Sequence, residues 1–440
     1  MSNFRKQHMQ IMWDNLIDVE NQKAAENAPL QEKAALVGRI GLMMLSVGAG
    51  AYRVRAAMNK LSRALNITCN ADIGLLSIEY TCLAENQAYT NALSIHRSGV
   101  NTDKFYQLRV FTKWAAESVS RYSIKQFFVI LDDIDKAAGS YSTLTLSLSA
   151  AFACAALTFL LGGDHIECLL AFLGAGTGNF IRRKMLKKHI TLYANVAVSV
   201  AAACLVYIAL EVIFHKNLNI FDDHHEGYIC SMLFVIPGFP LITGGIDLAK
   251  LDIRSGLERI CYSFLIIFVA ALTGWLCAYF FNFFPRNFDP MALPHHIKLI
   301  LRFFASIISI YGFSIMFNSS RKMALLAALI GCLPNVMRLE LIDYTNLPFQ
   351  LIAFLASFLA GLLASAIKKF TGFPRTTITV PSIVVMVPGL YMYKGMYFFA
   401  LEDYGQGAVY FTKAIMVICA LALGLIFARI LTDKNFRTSS

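Results

Sequence analysis

The sequence predicts an α-helical polytopic membrane protein, with about ten transmembrane helices as two inverted five-helix repeats and a small α+β cytoplasmic N-terminal domain. Three observations predict it. Of the 440 residues 57% are hydrophobic and only 15% charged, with a mean hydropathy of +0.56, which is too apolar for an ordinary soluble chain. Charge is dense at first and then sparse: residues 1–141 hold 16 Lys+Arg and 13 Asp+Glu, and the remaining 299 hold 23 and 15. Matching Pro-Gly pairs interrupt two apolar runs, one in each half of the membrane region.

Residues 1–34 read as a polar N-terminal segment and linker. They carry both charge signs and no apolar stretch before a small-residue cleavage site, so a cleaved signal peptide is not expected. Residues 35–141 read as the cytoplasmic α+β domain. Between 34 and 65 the apolar residues recur at helical spacing, but Arg39, Arg53 and Arg55 interrupt the run and make it a core helix. Stretches near 67–83 and 88–97 read as β-rich, and those near 101–118 and 122–138 as amphipathic helices.

From Ser142 onward the apolar runs lie near 142–161, 166–181, 190–214, 228–248 and 260–284, then 296–317, 323–337, 346–367, 376–398 and 407–430. They form a first five-helix unit over 142–285 and a second over 296–430. Most reach the roughly 20 residues that a helix needs to cross about 30 Å of hydrocarbon; the second and seventh are short. With the N-terminal domain inside, 16 basic residues fall in inner segments and 7 in outer ones. That bias predicts a multi-pass protein of the cell (inner) membrane with both termini cytoplasmic.

The halves share more than their number of runs. Phe234-Val-Ile-Pro-Gly-Phe-Pro-Leu241 in the fourth run is matched by Val385-Met-Val-Pro-Gly-Leu-Tyr-Met392 in the ninth. Pro237 precedes Gly256 by 19 residues, as Pro388 precedes Gly407. Asn179-x-x-Arg182 closes the second run and Asn335-x-x-Arg338 the seventh. Because five spans is an odd number, the second half enters the membrane from the opposite side, which is the plan of many secondary transporters. A proline break divides a span into half-helices, one offering N–H groups to a carboxylate and the other carbonyls to an ammonium. Pro237, Gly238, Phe239, Pro240 and Thr243, with Pro388, Gly389, Tyr391, Asn179 and Asn335, are therefore the expected substrate-binding residues. Asp247, at a span border, with Glu211 and Lys394 in outer span halves, are the expected proton-coupling or gating groups.

With those residues in view, the chain resembles the threonine/serine exporter family in its fused two-unit form. The likeness rests on Gly41-Leu-Met-Met-Leu-Ser-Val-Gly-Ala49, Leu61-Ser-Arg-Ala-Leu65 and Arg97-Ser-Gly-Val-Asn101 in the N-terminal domain. In the membrane units it rests on Val235-Ile-Pro-Gly-Phe-Pro-Leu241 followed by Asp247, on Ser255-Gly-Leu-Glu-Arg259, and on Val387-Pro-Gly389. The resemblance implies secondary active export of threonine and serine driven by the proton gradient, and for some members export of a dicarboxylate of the succinate type.

The expected partners are that small-molecule substrate, protons and membrane lipid; a homo-oligomer is compatible with the sequence, and nucleic acid is not expected despite the net charge of +11. No cofactor or metal is expected. Asp222, Asp223, His224, His225 and Glu226 form a polar loop without ligand spacing. Gly174-Ala-Gly-Thr-Gly178 imitates a phosphate loop, but it sits inside an apolar run and reads as close helix packing. The ten cysteines contain no CxxC pair and read as small buried hydrophobes. No catalytic triad or Walker motif is present, so neither an enzyme nor an ATP-driven pump is expected; a passive channel and a membrane-embedded enzyme are the competing classes.

Overall fold

The computed structural model describes residues 11–18, 23–137, 139–218, 226–283 and 293–437. They divide into two compact units, Met1–Gly139 with Ile246–Arg259, and Ser140–Gly245 with Ile260–Ser440.

The first unit begins with helices α1 (Leu30–Ser46) and α2 (Ala51–Ala64). The sequence predicts one helix here, and Gly48 divides it: its φ of +86° ends α1 in a left-handed turn. Helix α1 starts at Leu30, behind Pro29, and Ala25 and Ala28 are buried, so the core reaches into the stretch expected as linker. Strands β1 (Thr68–Ile73), β2 (Ser77–Ala84) and β3 (Gln87–Ser94) form an antiparallel sheet in the order β1-β2-β3. Thr68 faces Leu83, and Ala84 faces Gln87 across a two-residue turn. The run near 67–83 is thus two strands, because Gly74 and its neighbours turn the chain within it. Helices α3 (Thr102–Ser118) and α4 (Ile124–Lys136) follow, each started by its own cap. Asn101 Oδ1 accepts from Lys104 N at 3.0 Å, and Ser123 and Gln126 form a capping box. Arg39, which marks α1 as a core helix, is buried; it pairs with Asp132 of α4 and lies over the Phe128 and Trp13 rings.

The second unit is helical throughout its described residues. Its helices are α5 (Thr143–Leu161), α6 (His165–Lys187), α7 (Leu192–Leu218), α8 (Gly238–Ala249) and α9 (Ile253–Phe280), then α10 (His295–Met316), α11 (Arg321–Tyr344), α12 (Phe349–Thr371), α13 (Arg375–Ile383), α14 (Gly389–Ala400) and α15 (Tyr404–Thr432). Of these, α8 and α9 carry the segment Ile246–Arg259 that belongs to the first unit. Gly162, at φ +116°, ends α5, and an Asp164–Glu167 capping box restarts the chain as α6. Among the described residues seven helices are long and apolar enough to cross a membrane, or nine spans if each of two bent pairs counts as one. The expected second span, α6, is 23 residues long but falls outside that set, since Glu167, Asn179, Arg182 and Arg183 dilute its apolar content. The expected seventh span qualifies: α11 runs for 24 residues through Pro334, well beyond its apolar run.

Candidate functional site

The two Pro-Gly breaks have the same local construction. In the first, a 3-10 helix (Glu226–Val235) stops before Pro237 and α8 starts at Gly238, with a bend of 64°. In the second, a 3-10 turn (Val384–Met386) stops before Pro388 and α14 starts at Gly389, with a bend of 46°. Gly238 N donates to Ile236 O at 2.9 Å, and Gly389 N to Val387 O at 2.8 Å, so each proline is the centre of a tight three-residue turn. The first N–H of each half-helix is thereby used. Beyond it the helix start leaves Phe239 outside the i→i−4 ladder at the first break, where Pro240 has no N–H, and leaves Leu390 and Tyr391 at the second. The second break is the better donor site.

The breaks touch each other. A Cβ on Gly238 would meet Val384 Cγ2 at 3.0 Å and Val387 Cγ2 at 3.3 Å; one on Gly389 would collide with Ile236 Cδ1 and meet Leu233 Cδ2 at 3.2 Å. Six residues before each proline stands a buried serine. Ser231 Oγ donates to Tyr228 O at 2.7 Å and Ser382 Oγ to Thr379 O at 2.8 Å. Each serine packs on a glycine of the preceding Asn-x-x-Arg helix, Ser231 on Gly174 and Ser382 on Gly331. Gly174 and Gly178 also lie against α7, at Ala203 O and Ser199 O, as close packing requires. Between the first helices of the two halves, Ser309 Oγ donates to Ala153 O at 2.9 Å.

The two Asn-x-x-Arg pairs differ in what the arginine does. Asn179 Nδ2 donates to Leu146 O and Asn335 Nδ2 to Ser306 Oγ, each at 2.9 Å. Arg182 Nη1 donates to Phe234 O at 3.2 Å, on the carbonyl end of the first break, and Asn179 Oδ1 is buried with no hydrogen-bond partner among the described residues. Arg338 instead folds back on its asparagine, with Nε and Nη2 at 3.2 and 3.1 Å from Asn335 Oδ1. Beside it is a cavity of about 90 Å³ lined by Arg338, Tyr391, Leu390, Pro388, Val385 and Leu233 among others. The expected residues Pro388, Tyr391 and, through Arg338, Asn335 therefore come together. Gly238 packs against the second break at Val384 and Val387, which leaves Pro237, Gly238, Phe239 and Pro240 outside the cavity's lining; Phe239 lies edge-on to Phe317 at 5.6 Å. Thr243 turns inward on its own helix, bonding Phe239 O at 3.0 Å. Sequence reasoning passed over Arg338 as a site residue, although Asn335-x-x-Arg338 was the signal for it.

The three expected proton-coupling or gating groups stand apart from this cavity's lining. Asp247 is fully buried within the first unit, accepting from Ala51 N and Ser255 Oγ at 3.1 Å each and pairing with Arg259 Nε at 3.3 Å. Arg259 Nη2 in turn donates to Ala49 O at 2.6 Å. Of the cations nearer in sequence, Lys250 lies over Tyr52, and Arg254 bonds Asp72, Glu79 and Glu258. Glu211 is buried in α7, and Lys394 lies over the Tyr410 ring. Around the entrance of α10, Tyr344 and His295 Nδ1 are 2.8 Å apart, while Lys298 and Arg302 pair with Asp343 and Glu340. Asp222 to His225 lie outside the described residues, as does the Glu226 side chain.

Comparison with known proteins places these features in a family. A family profile described as "Putative threonine/serine exporter" matches residues 35–282, and one described as "Threonine/Serine exporter, ThrE" matches residues 302–431. An Escherichia coli (strain K12) protein named "Probable succinate transporter subunit YjjP" is 23% identical over 244 residues, covering 53% of this chain and 91% of that protein. No solved structure matches. Together the two profile matches, the apolar helices and the paired breaks identify a multi-pass membrane protein: the chain belongs to the threonine/serine exporter family, in the form that carries both units in one polypeptide.

Proposed function

We propose that this protein is a secondary active exporter, driven by the proton gradient, of a small carboxylate-bearing metabolite, with threonine or serine as the first substrate and a succinate-type dicarboxylate as the second. The observation that carries this reading is the pair of Pro-Gly breaks packed on one another beside a cavity. Broken helices that meet at a shared site are how transporters place backbone polar groups in the bilayer next to substrate. The reciprocal Gly238–Val387 and Gly389–Ile236 contacts support a two-fold relation of the halves, because a two-fold axis makes contact i-to-j imply contact j-to-i; an odd number of spans per half makes that relation an inverted one. Counting α6 and each bent pair as spans gives ten, five per half, with both termini cytoplasmic in the inner membrane. The dicarboxylate reading draws on the printed name of the Escherichia coli relative.

In this scheme the breaks and Asn335 form the substrate site, and Asp247, with Glu211 and Lys394, serves coupling or gating. Uptake of labelled threonine, serine and succinate into inside-out vesicles, with and without a proton gradient, tests it. Saturable accumulation of one of them, lost when the gradient is collapsed, is the expected result. Gradient-independent, non-saturating flux indicates a channel instead.

A further inference from the structure

We infer that Arg338 is the anchor for the substrate carboxylate, holding it in the cavity at the Pro388 break together with the first backbone N–H groups of α14. This rests on the exporter reading and assigns the recognition element within it. Arg338 is the one charged residue among those lining the cavity; the walls are otherwise apolar apart from Tyr391. A cation held inside a membrane unit is costly unless it meets a counter-charge. Its hydrogen-bond partner, Asn335 Oδ1, is neutral. The carboxylates closest in sequence on the same helix, Glu340 and Asp343, are taken by Arg302 and Lys298.

The geometry suits a carboxylate. Asn335 holds Nε and one N–H of Nη2, which fixes the plane of the guanidinium. The second Nη2 hydrogen and Nη1 remain, and Nη1 has no acceptor among the described residues. That pair of donors forms a fork for two carboxylate oxygens. Leu390 and Tyr391, whose N–H groups lie at the start of α14, line the same cavity, so a helix N-terminus and an arginine converge on one place. The first half supplies an internal contrast. There the equivalent Arg182 turns Nη1 to Phe234 O, its asparagine oxygen is left without a donor among the described residues, and Pro240 removes an N–H from the helix start. Of two arginines in one motif, the second lines the cavity and the first does not.

The test uses the purified full-length protein and ligand-dependent thermal stabilisation, with succinate, L-threonine and the uncharged succinamide as probes, alongside vesicle transport. At least one of the two carboxylates should stabilise the parent and succinamide should not. Arg338→Gln should weaken that affinity about tenfold or more, Arg338→Lys should retain part of it, and Arg182→Gln should retain it. Melting of the unliganded variants reports folding; if Arg338→Gln does not fold, Arg338→Lys carries the test through its loss of affinity at parental melting temperature. Parental affinity in Arg338→Gln, or equal loss in the Arg182 and Arg338 variants, overturns the assignment while the exporter reading stands. If the parent neither binds nor moves any carboxylate, both fall.

Discussion

Ile236 Cδ1 occupies the place that a side chain at Gly389 would need, and Val387, the counterpart of Ile236, lies against Gly238 in return. Each break thus inserts the residue before its proline into the space left by the other's glycine. Gly389→Ala should therefore overpack the contact and cost about 1–3 kcal/mol. Removing the colliding methyl with Ile236→Val should recover most of that loss. Thermal melting of the single and double variants checks it, and an additive double variant would mean that the two sites do not meet. Gly238→Ala should be milder, since its nearest atom is at 3.0 Å.

Asn335 positions Arg338, and its replacements can be separated by charge. Asn335→Asp keeps the shape and the acceptor but gives Arg338 a permanent counter-ion, so the fold should be retained while carboxylate binding falls about tenfold or more. Asn335→Leu should lower stability, because it removes the bond to Ser306 as well as the acceptor. The apparent KM for transport should rise in both. A structural role alone predicts that binding follows stability, with Asn335→Asp close to the parent in each.

Asp247 and Arg259 are each about 2% exposed, so removing one charge takes a buried counter-ion from the other. Asp247→Asn should destabilise the protein by about 3–5 kcal/mol, whereas Asp247→Leu with Arg259→Met should be far less harmful. If Asp247 also carries the coupled proton, Asp247→Asn in protein that remains folded should abolish gradient-driven accumulation and leave substrate exchange measurable. Equal loss of accumulation and exchange would assign Asp247 to structure alone.

Much of this arrangement was legible in the sequence, for reasons that also set the limit. Apolar periodicity and proline placement are local, so most of the helices and both breaks could be read directly. The partner of Asp247 could not. Lys250 and Arg254 are nearer in sequence, but Arg259 stands further along α9 where its guanidinium reaches both Asp247 and Ala49 O. The division of the first helix at Gly48 was hidden because a glycine within an apolar run gives no sign of its φ. Arg338 was passed over for a different reason. Its sequence context matches that of Arg182, and only the orientation of the side chain, toward Asn335 rather than a break carbonyl, separates them.

The proposed inverted relation of the halves has a direct test in side-selective labelling. The α6–α7 connection follows the Asn179-x-x-Arg182 helix, and the α11–α12 connection follows the Asn335-x-x-Arg338 helix, so the proposed repeat makes them equivalent positions. A parallel duplication would put both connections on one side of the membrane; five spans per half put them on opposite sides. Both offer suitable sites, since Lys187 at the end of α6 and Leu347 between α11 and α12 are solvent-accessible or partly so. In a background without the native cysteines, Lys187→Cys should react with an impermeant maleimide only in inside-out vesicles, as should Val110→Cys in α3 of the N-terminal unit. Leu347→Cys should react only in intact cells. Labelling of Lys187→Cys and Leu347→Cys from the same side would exclude the ten-span inverted topology.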